Sequence, residues 1–146
     1  MKEYFIATAQ VERMTTEGGM KSVTEQYLVD AMSFTEAEGL VTEFLTEDAG
    51  GEYKIEKIVK PRLAEVSTSD NVHDDTFYRI KIAIFTLDEK TGQERKTQMA
   101  YIVQADTLEH AIARFRLGMA GTVSDWTLTA VNATPIVEHI TGGENK

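Results

Sequence analysis

Apolar and polar side chains alternate along residues 77–85, in the second half of the chain. One set of alternate positions is apolar: Tyr78, Ile80, Ile82 and Ile84. The other set mixes aromatic and basic side chains: Phe77, Arg79, Lys81 and Phe85. Because successive side chains of a strand point to opposite faces, this period of two predicts a strand with one buried face. We expect helices to cover the isoleucine face and the opposite face to be open.

The first half of the chain has the pattern strand, turn, strand, helix, strand. Strands are expected at 4–14, 23–31 and 53–59, with a glycine-containing turn at 15–19. Ser33 and Glu36 have the spacing of a capping box, which predicts a helix that begins at Ser33. Glu36 is expected to accept a hydrogen bond from the Ser33 amide.

The second half repeats this order. Its strands are expected at 77–87, 96–105 and 126–136, and Thr107 is expected to cap the helix. The polar, turn-prone stretch at 67–75 separates the two halves and is predicted to be a linker.

The two halves also match residue by residue. A shift of 74 residues places Tyr4 and Ile6 on Tyr78 and Ile80, and places 27–31 on 101–105. After a one-residue slip, Tyr53 and Ile55 fall on Trp126 and Leu128. A repeat of this length is one supersecondary unit used twice, so most of the recurring residues are expected to form the core.

These patterns predict an α+β fold. We expect two tandem ββαβ repeats to form a pseudo-twofold, mainly antiparallel sheet with two helices on one face. The predicted organisation is a single domain that comprises repeat one at 1–66, the linker at 67–75, repeat two at 76–140 and a flexible tail at 141–146.

Composition narrows the class of protein further. The 146 residues contain no cysteine, which excludes disulfides and thiolate metal sites. No apolar stretch approaches the roughly 18 residues of a membrane helix, and the N-terminus has no pattern of a signal peptide. We therefore expect a cytoplasmic protein with no membrane association.

The net charge of −9 is unevenly distributed. Residues 1–74 contain 7 Lys/Arg and 15 Asp/Glu, a net of −8, whereas residues 75–146 contain 8 and 9, a net of −1. Overall acidity argues against a protein that coats duplex DNA, since neutralised phosphates supply most of that affinity. It leaves room for a local basic groove in the second half.

The mixed face of 77–85 is the best candidate for such a groove. Aromatic rings stack on bases while cations contact phosphates, and single-stranded nucleic acid is bound by this combination. The candidate nucleic-acid-binding residues are Phe77, Arg79, Lys81, Phe85 and, from the neighbouring strand, Lys96. Basic residues along or just after the third strand of the first half are expected to add to it: Lys54, Lys57, Lys60 and Arg62. The alternative is an ordinary half-exposed sheet with Lys and Arg stems lying along it.

The sequence offers no catalytic constellation. His73, His110 and His139 are scattered, and His73 with Asp74 and Asp75 would place adjacent ligands on one loop, which rarely completes a metal site. The paired glycines have neither phosphate-loop nor dinucleotide-binding spacing. We expect no catalytic residues, no metal and no cofactor, and therefore no enzyme.

Three segments carry a family resemblance: 23–38, 86–92 and 118–122. They resemble an uncharacterised domain family found in Bacteroides-type bacteria and their phages. The resemblance spans nearly the whole chain and implies no site residues. Occurrence in phages would favour replication accessories and host-interaction proteins.

The sequence therefore supports three functional hypotheses. The first is a non-enzymatic protein that binds single-stranded DNA or RNA, of a phage replication or accessory type. The alternative is a protein-interaction module, such as a host-factor inhibitor or acidic decoy, which presents Glu36, Glu38, Glu43 and Glu47 to a basic partner. The third is a small-ligand site between the repeats. Self-association is a further candidate interaction.

Overall fold

The computed structural model describes residues 3–142. Eight strands and two helices follow one another in the order β1 (Glu3–Met14), β2 (Met20–Ala31), α1 (Phe34–Asp48), β3 (Tyr53–Val59), β4 (Glu65–Ser67), β5 (Thr76–Leu87), β6 (Glu94–Ala105), α2 (Leu108–Gly118), β7 (Asp125–Ala133) and β8 (Ile136–Ile140). The predicted α+β class is confirmed. The strands are divided between two four-stranded, mainly antiparallel sheets instead of joining in one.

The chain forms two compact units. Unit 1 consists of Met1–Pro61 and Pro135–Lys146, and unit 2 consists of Arg62–Thr134. The predicted boundaries of the repeats and linker stay predictions, and residues 143–146 of the predicted tail lie outside the described residues.

Unit 1 is a sheet with the strand order β3-β1-β2-β8 and one helix, α1, packed on it. β1 pairs with β2 and β3 in antiparallel fashion, and β8 pairs with β2 in parallel. The core lies between sheet and helix, where Phe5, Tyr27 and Val29 meet Val41 and Leu45. Alternate positions of β1 and β2 thus supply one apolar face.

Unit 2 repeats this arrangement with the strand order β4-β6-β5-β7 and helix α2. β5 pairs with β6 and β7 in antiparallel fashion, and the short β4 pairs with β6 in parallel. Ile80, Ile82 and Val103 pack with Ala111 and Phe115 in the core. The isoleucine face of β5 is therefore the helix-covered face, as predicted.

The chain crosses from one unit to the other twice. β4 follows β3 of unit 1 but belongs to the sheet of unit 2, and β8 follows β7 of unit 2 but belongs to the sheet of unit 1. Pro61 and Pro135, the only prolines of the chain, lie at these two crossings. The strand predicted at 126–136 is accordingly two strands that end and begin around Pro135, because proline cannot donate to a continuing ladder.

The strand pairing corrects the alignment of the repeats at their first strand. Phe5 lies opposite Val29 and Tyr78 lies opposite Val103, so Phe5, not Tyr4, corresponds to Tyr78. The offset is 73 residues on this strand and 74 on the next, because the second hairpin loop is one residue longer. A one-residue slip moves every side chain to the other face, so Tyr4 lies on the face away from the helix.

Both helices begin at the predicted residues. The Ser33 hydroxyl accepts a hydrogen bond from the Glu36 amide (3.1 Å), and the Thr107 hydroxyl accepts one from the His110 amide (3.1 Å). The predicted bond from the Ser33 amide to Glu36 is wrong by one residue. The Glu36 carboxylate instead accepts from the Met32 amide, at 2.8 Å.

Candidate functional site

The five candidate nucleic-acid-binding residues lie on one face of the unit 2 sheet. Phe77, Arg79, Lys81 and Phe85 are alternate residues of β5, with side chains opposite to the helix-facing isoleucines. Lys96 lies directly across from Phe85 on β6. The structure therefore brings all five residues to one surface, which we call the outer face of unit 2.

Burial divides this outer face into two parts. At one end Phe77 is only 3% exposed, and Ile102, which lies across from Arg79, is 1% exposed. Towards the hairpin loop Ala83 is fully buried and Phe85 is half-buried, whereas Lys81 and Lys96 are exposed. The expectation of an open face is therefore wrong at Phe77, Ala83 and Ile102, and the Phe77 ring has no surface on which a base could stack.

The cations of the outer face have no internal counter-ions. Among the described residues, no carboxylate pairs with Arg79, Lys81 or Lys96, and the buried Nε of Arg79 has no hydrogen-bond partner. Arg13 and Arg114, by contrast, are each paired with carboxylates. An unsatisfied buried donor is unusual, and an anion near the Arg79 guanidinium would compensate its charge.

Residues of the neighbouring strands lie beside the cations of the outer face. Asp125 of β7 lies across from Phe85, and Gln98 of β6 lies across from Ala83. Lys54 and Lys57 belong to β3 in the unit 1 sheet and so do not extend the outer face of unit 2. Lys60 forms an ion pair with Glu3. These three lysines therefore do not add positive charge to the outer face of unit 2, although the sequence led us to expect it.

The predicted linker is an anchored loop. Asp74 is 4% exposed, and its carboxylate accepts a hydrogen bond from Ser69 and pairs with Arg114 of α2 at 3.0 Å. Gln104 of β6 binds the same loop, because its side chain donates to the Asp74 carbonyl and accepts from the Ser69 amide. The Ser69 hydroxyl and then the Arg114 guanidinium hold the pKa of Asp74 below its ordinary value.

Asp74 is one of the three residues that the sequence suggested as ligands for a cation. Asp74 is occupied by Ser69 and Arg114, so it is not free beside His73 and Asp75. Over residues 3–142 no group of three or more metal-ligating side chains could hold a metal ion.

A second polar cluster, which the sequence did not reveal, lies in unit 1. Arg13 binds Glu25 with two nitrogens, at 2.8 and 3.1 Å, and also pairs with Asp48 at the end of α1. The Tyr27 hydroxyl donates to Glu25 at 2.6 Å. Burial and then Glu25 raise the pKa of Tyr27. Every member of this cluster is paired, which is typical of a structural site that fixes the helix end.

The fold defines the class as an α+β protein of two four-stranded sheets, each with one helix. The chain belongs to the family described as Domain of unknown function (DUF4494), whose model matches residues 3–141. No curated protein matches the chain. Within residues 3–142, no helix has the length and apolar character that crossing a membrane would require.

Proposed function

We propose that the protein is a non-enzymatic binding protein for single-stranded nucleic acid, with an accessory role in phage replication. The observation that carries this proposal is the outer face of unit 2, where Arg79, Lys81 and Lys96 lack internal counter-ions beside the ring of Phe85. Phosphates would pair with the three cations and one base would stack on Phe85. Phe77 has no part in this contact because it is buried.

The geometry also supports a single-stranded ligand in this proposal. The available surface is the twisted face of a sheet, and a lone half-buried ring can stack only on a base that is free of a duplex. The protein as a whole is acidic, so long-range attraction to duplex DNA is weak. The proposal places the protein in the cytoplasm of Bacteroides-type bacteria.

Charge reversal with a matched control tests this proposal. A labelled mixed-sequence strand of roughly 30 nucleotides, long enough for several contacts, is titrated at low salt and followed by fluorescence anisotropy. Lys81→Glu with Lys96→Glu should abolish binding. Lys54→Glu with Lys57→Glu changes the net charge equally on exposed positions of β3 and should weaken binding far less. Equal losses from the two pairs would exclude the outer face as the site.

A second candidate is a module for a basic protein surface. Helix α1 contains five carboxylates and no basic residue. Glu36 caps the helix and Asp48 pairs with Arg13, but Glu38, Glu43 and Glu47 are exposed. For this function Glu43→Lys with Glu47→Lys should abolish capture of a partner from host lysate, while Lys81→Glu with Lys96→Glu should leave it intact.

A further inference from the structure

Unit 2 contains a cavity of about 120 Å³ between β4, β6 and α2. Its apolar wall consists of Tyr101, Val103, Phe115 and Met119, and its polar rim consists of Glu65, Ser67 and Arg114. The volume is somewhat smaller than that of an engineered cavity of ~150 Å³ that binds benzene.

The equivalent space in unit 1 is filled by the protein's own side chains. Leu40 and Phe44 of α1 pack against the unit 1 core, and the Phe44 ring lies 5.5 Å from that of Tyr27. Ile140 of β8 completes the packing and is 8% exposed. The three residues close the gap between the helix and the outer strand of the sheet.

Unit 2 has different residues at these three positions. The common offset of 74 in the helices places Arg114 at the position of Leu40 and Gly118 at that of Phe44. Ser67 pairs with Val103 as Ile140 pairs with Val29, so a serine replaces the buried isoleucine. Phe115, at the position of Val41, contacts Tyr101 and takes up part of the vacated space. The cavity is the part of this space that Phe115 does not fill.

Gly118 lines this space and leaves room for a side chain. A Cβ atom added at Gly118 would meet no heavy atom within 4 Å. The backbone of Gly118 is helical, so its lack of a side chain is not required by its conformation. The cavity opens to solvent and combines an apolar wall with a few polar groups at its rim, as small-molecule sites do. The exchange of three filling residues for two polar ones and a glycine thus leaves a concave site where unit 1 has a packed core.

The charges at the rim define the chemistry of that occupant. Arg114 is compensated by Asp74 at 3.0 Å and also donates to the Gln104 carbonyl. Glu65 is exposed, and no cation pairs with it among the described residues. Glu65 lies across from Tyr101 in the pairing of β4 with β6, and the pKa of Tyr101 is raised by burial and then by Glu65. The one uncompensated charge at this cavity is therefore negative.

We propose that this cavity binds a small apolar ammonium compound, with its hydrophobic group against Phe115 and Met119 and its ammonium group at Glu65. The site is on the helix side of the unit 2 sheet and is independent of the nucleic-acid contact proposed for the outer face. A hydrophobic group of about the size of a benzene ring suits the volume of this cavity.

Benzylamine, benzyl alcohol and benzoate probe this site as ligands of one shape and different charge. Binding is followed by methyl NMR shifts of Val103 and Met119 in the full chain. Benzylamine should bind most tightly and benzoate least. Glu65→Gln should weaken benzylamine several-fold, as expected for an exposed ion pair, and leave benzyl alcohol unchanged.

Filling the cavity provides the second arm of the test. Gly118→Phe should abolish the shifts from all three compounds, and Ser67→Ile fills the same cavity from β4 in case the first variant does not fold. Gly39→Phe, the same change at an open helical glycine in unit 1, should leave binding intact. The proposal is overturned if benzylamine shifts neither methyl group, if benzoate binds equally well, or if the filled variants still bind.

Discussion

At the scale of single residues, Phe77 and Phe85 show what an alternating pattern can and cannot tell. The sequence predicted correctly that both rings lie on one face of β5. It could not predict that Phe77 is 3% exposed while Phe85 is half-buried, because the period of two determines the face but not what covers it. The pairing of Asp74 with Arg114 was also hidden, since 40 residues separate the partners.

Substitution of Phe77 should mainly affect stability, whereas substitution of Phe85 should mainly affect binding. Phe77→Ala removes a buried ring and should destabilise the protein by about 3–5 kcal/mol, without changing the affinity of the folded protein for a single strand. Phe85→Ala should cost less stability but lose about 1–3 kcal/mol of binding. Urea unfolding and anisotropy measure the two quantities. If folded Phe77→Ala lost affinity and Phe85→Ala bound normally, Phe77 and not Phe85 would be the residue that stacks on a base.

Asp74 should make stability depend on pH. Its pKa is lowered in the folded state, so the ionised carboxylate stabilises the protein above its ordinary pKa of about 4 and this contribution is lost as pH falls through the lowered value. Asp74→Asn should therefore be less stable than the natural protein at pH 7, and the difference should shrink in acid.

Urea midpoints at a series of pH values measure this difference. Asp75→Asn, at the exposed neighbouring position, serves as the control and should have little effect. A difference between Asp74→Asn and the natural protein that stays constant down to acid pH would contradict the role of the carboxylate.

At the scale of elements, local signals predicted most of the fold. The helix caps at Ser33 and Thr107 and the hairpin glycines Gly18 and Gly92, both with positive φ, follow from short-range chemistry. β4 and β8 were missed because strands of three and five residues show little alternation, and their parallel pairing is made with distant segments. The one-residue offset of the first strands was missed because the identities Tyr4/Tyr78 and Ile6/Ile80 favoured the wrong register.

The contribution of β8 can be measured at its last residue. Ile140 is 8% exposed and belongs to the unit 1 core, so Ile140→Ala should destabilise the protein by about 2–5 kcal/mol. Val137 lies on the same strand but is 50% exposed, and Val137→Ala should have little effect. Similar unfolding free energies for the two variants would show that β8 is not part of the core.

At the scale of the whole molecule, the crossings of the chain make each unit depend on both repeats. The sequence predicted two repeats but not this exchange, since Pro61 and Pro135 mark the ends of strands without showing which sheet receives the next one. A chain that ends at Thr134 keeps all of β1, β2, α1 and β3 but lacks β8, which pairs with β2 on the edge opposite β1.

Hydrogen exchange of that shortened chain tests whether unit 1 depends on β8. Residues 26–29 of β2, which pair with β8, should lose protection, while β5 and β6 of unit 2 should keep theirs. Unchanged protection of 26–29 would show that unit 1 does not need the strand supplied after repeat two.

The central functional claim is that a few uncompensated cations on the outer face of unit 2 bind single-stranded phosphates. Its most direct test is the salt dependence of affinity for a mixed-sequence single strand. Three contacts, from Arg79, Lys81 and Lys96, predict a slope of about −2 in log K against log salt, with much weaker binding to a duplex of the same sequence. No binding at low salt, or an affinity independent of salt, would contradict the account.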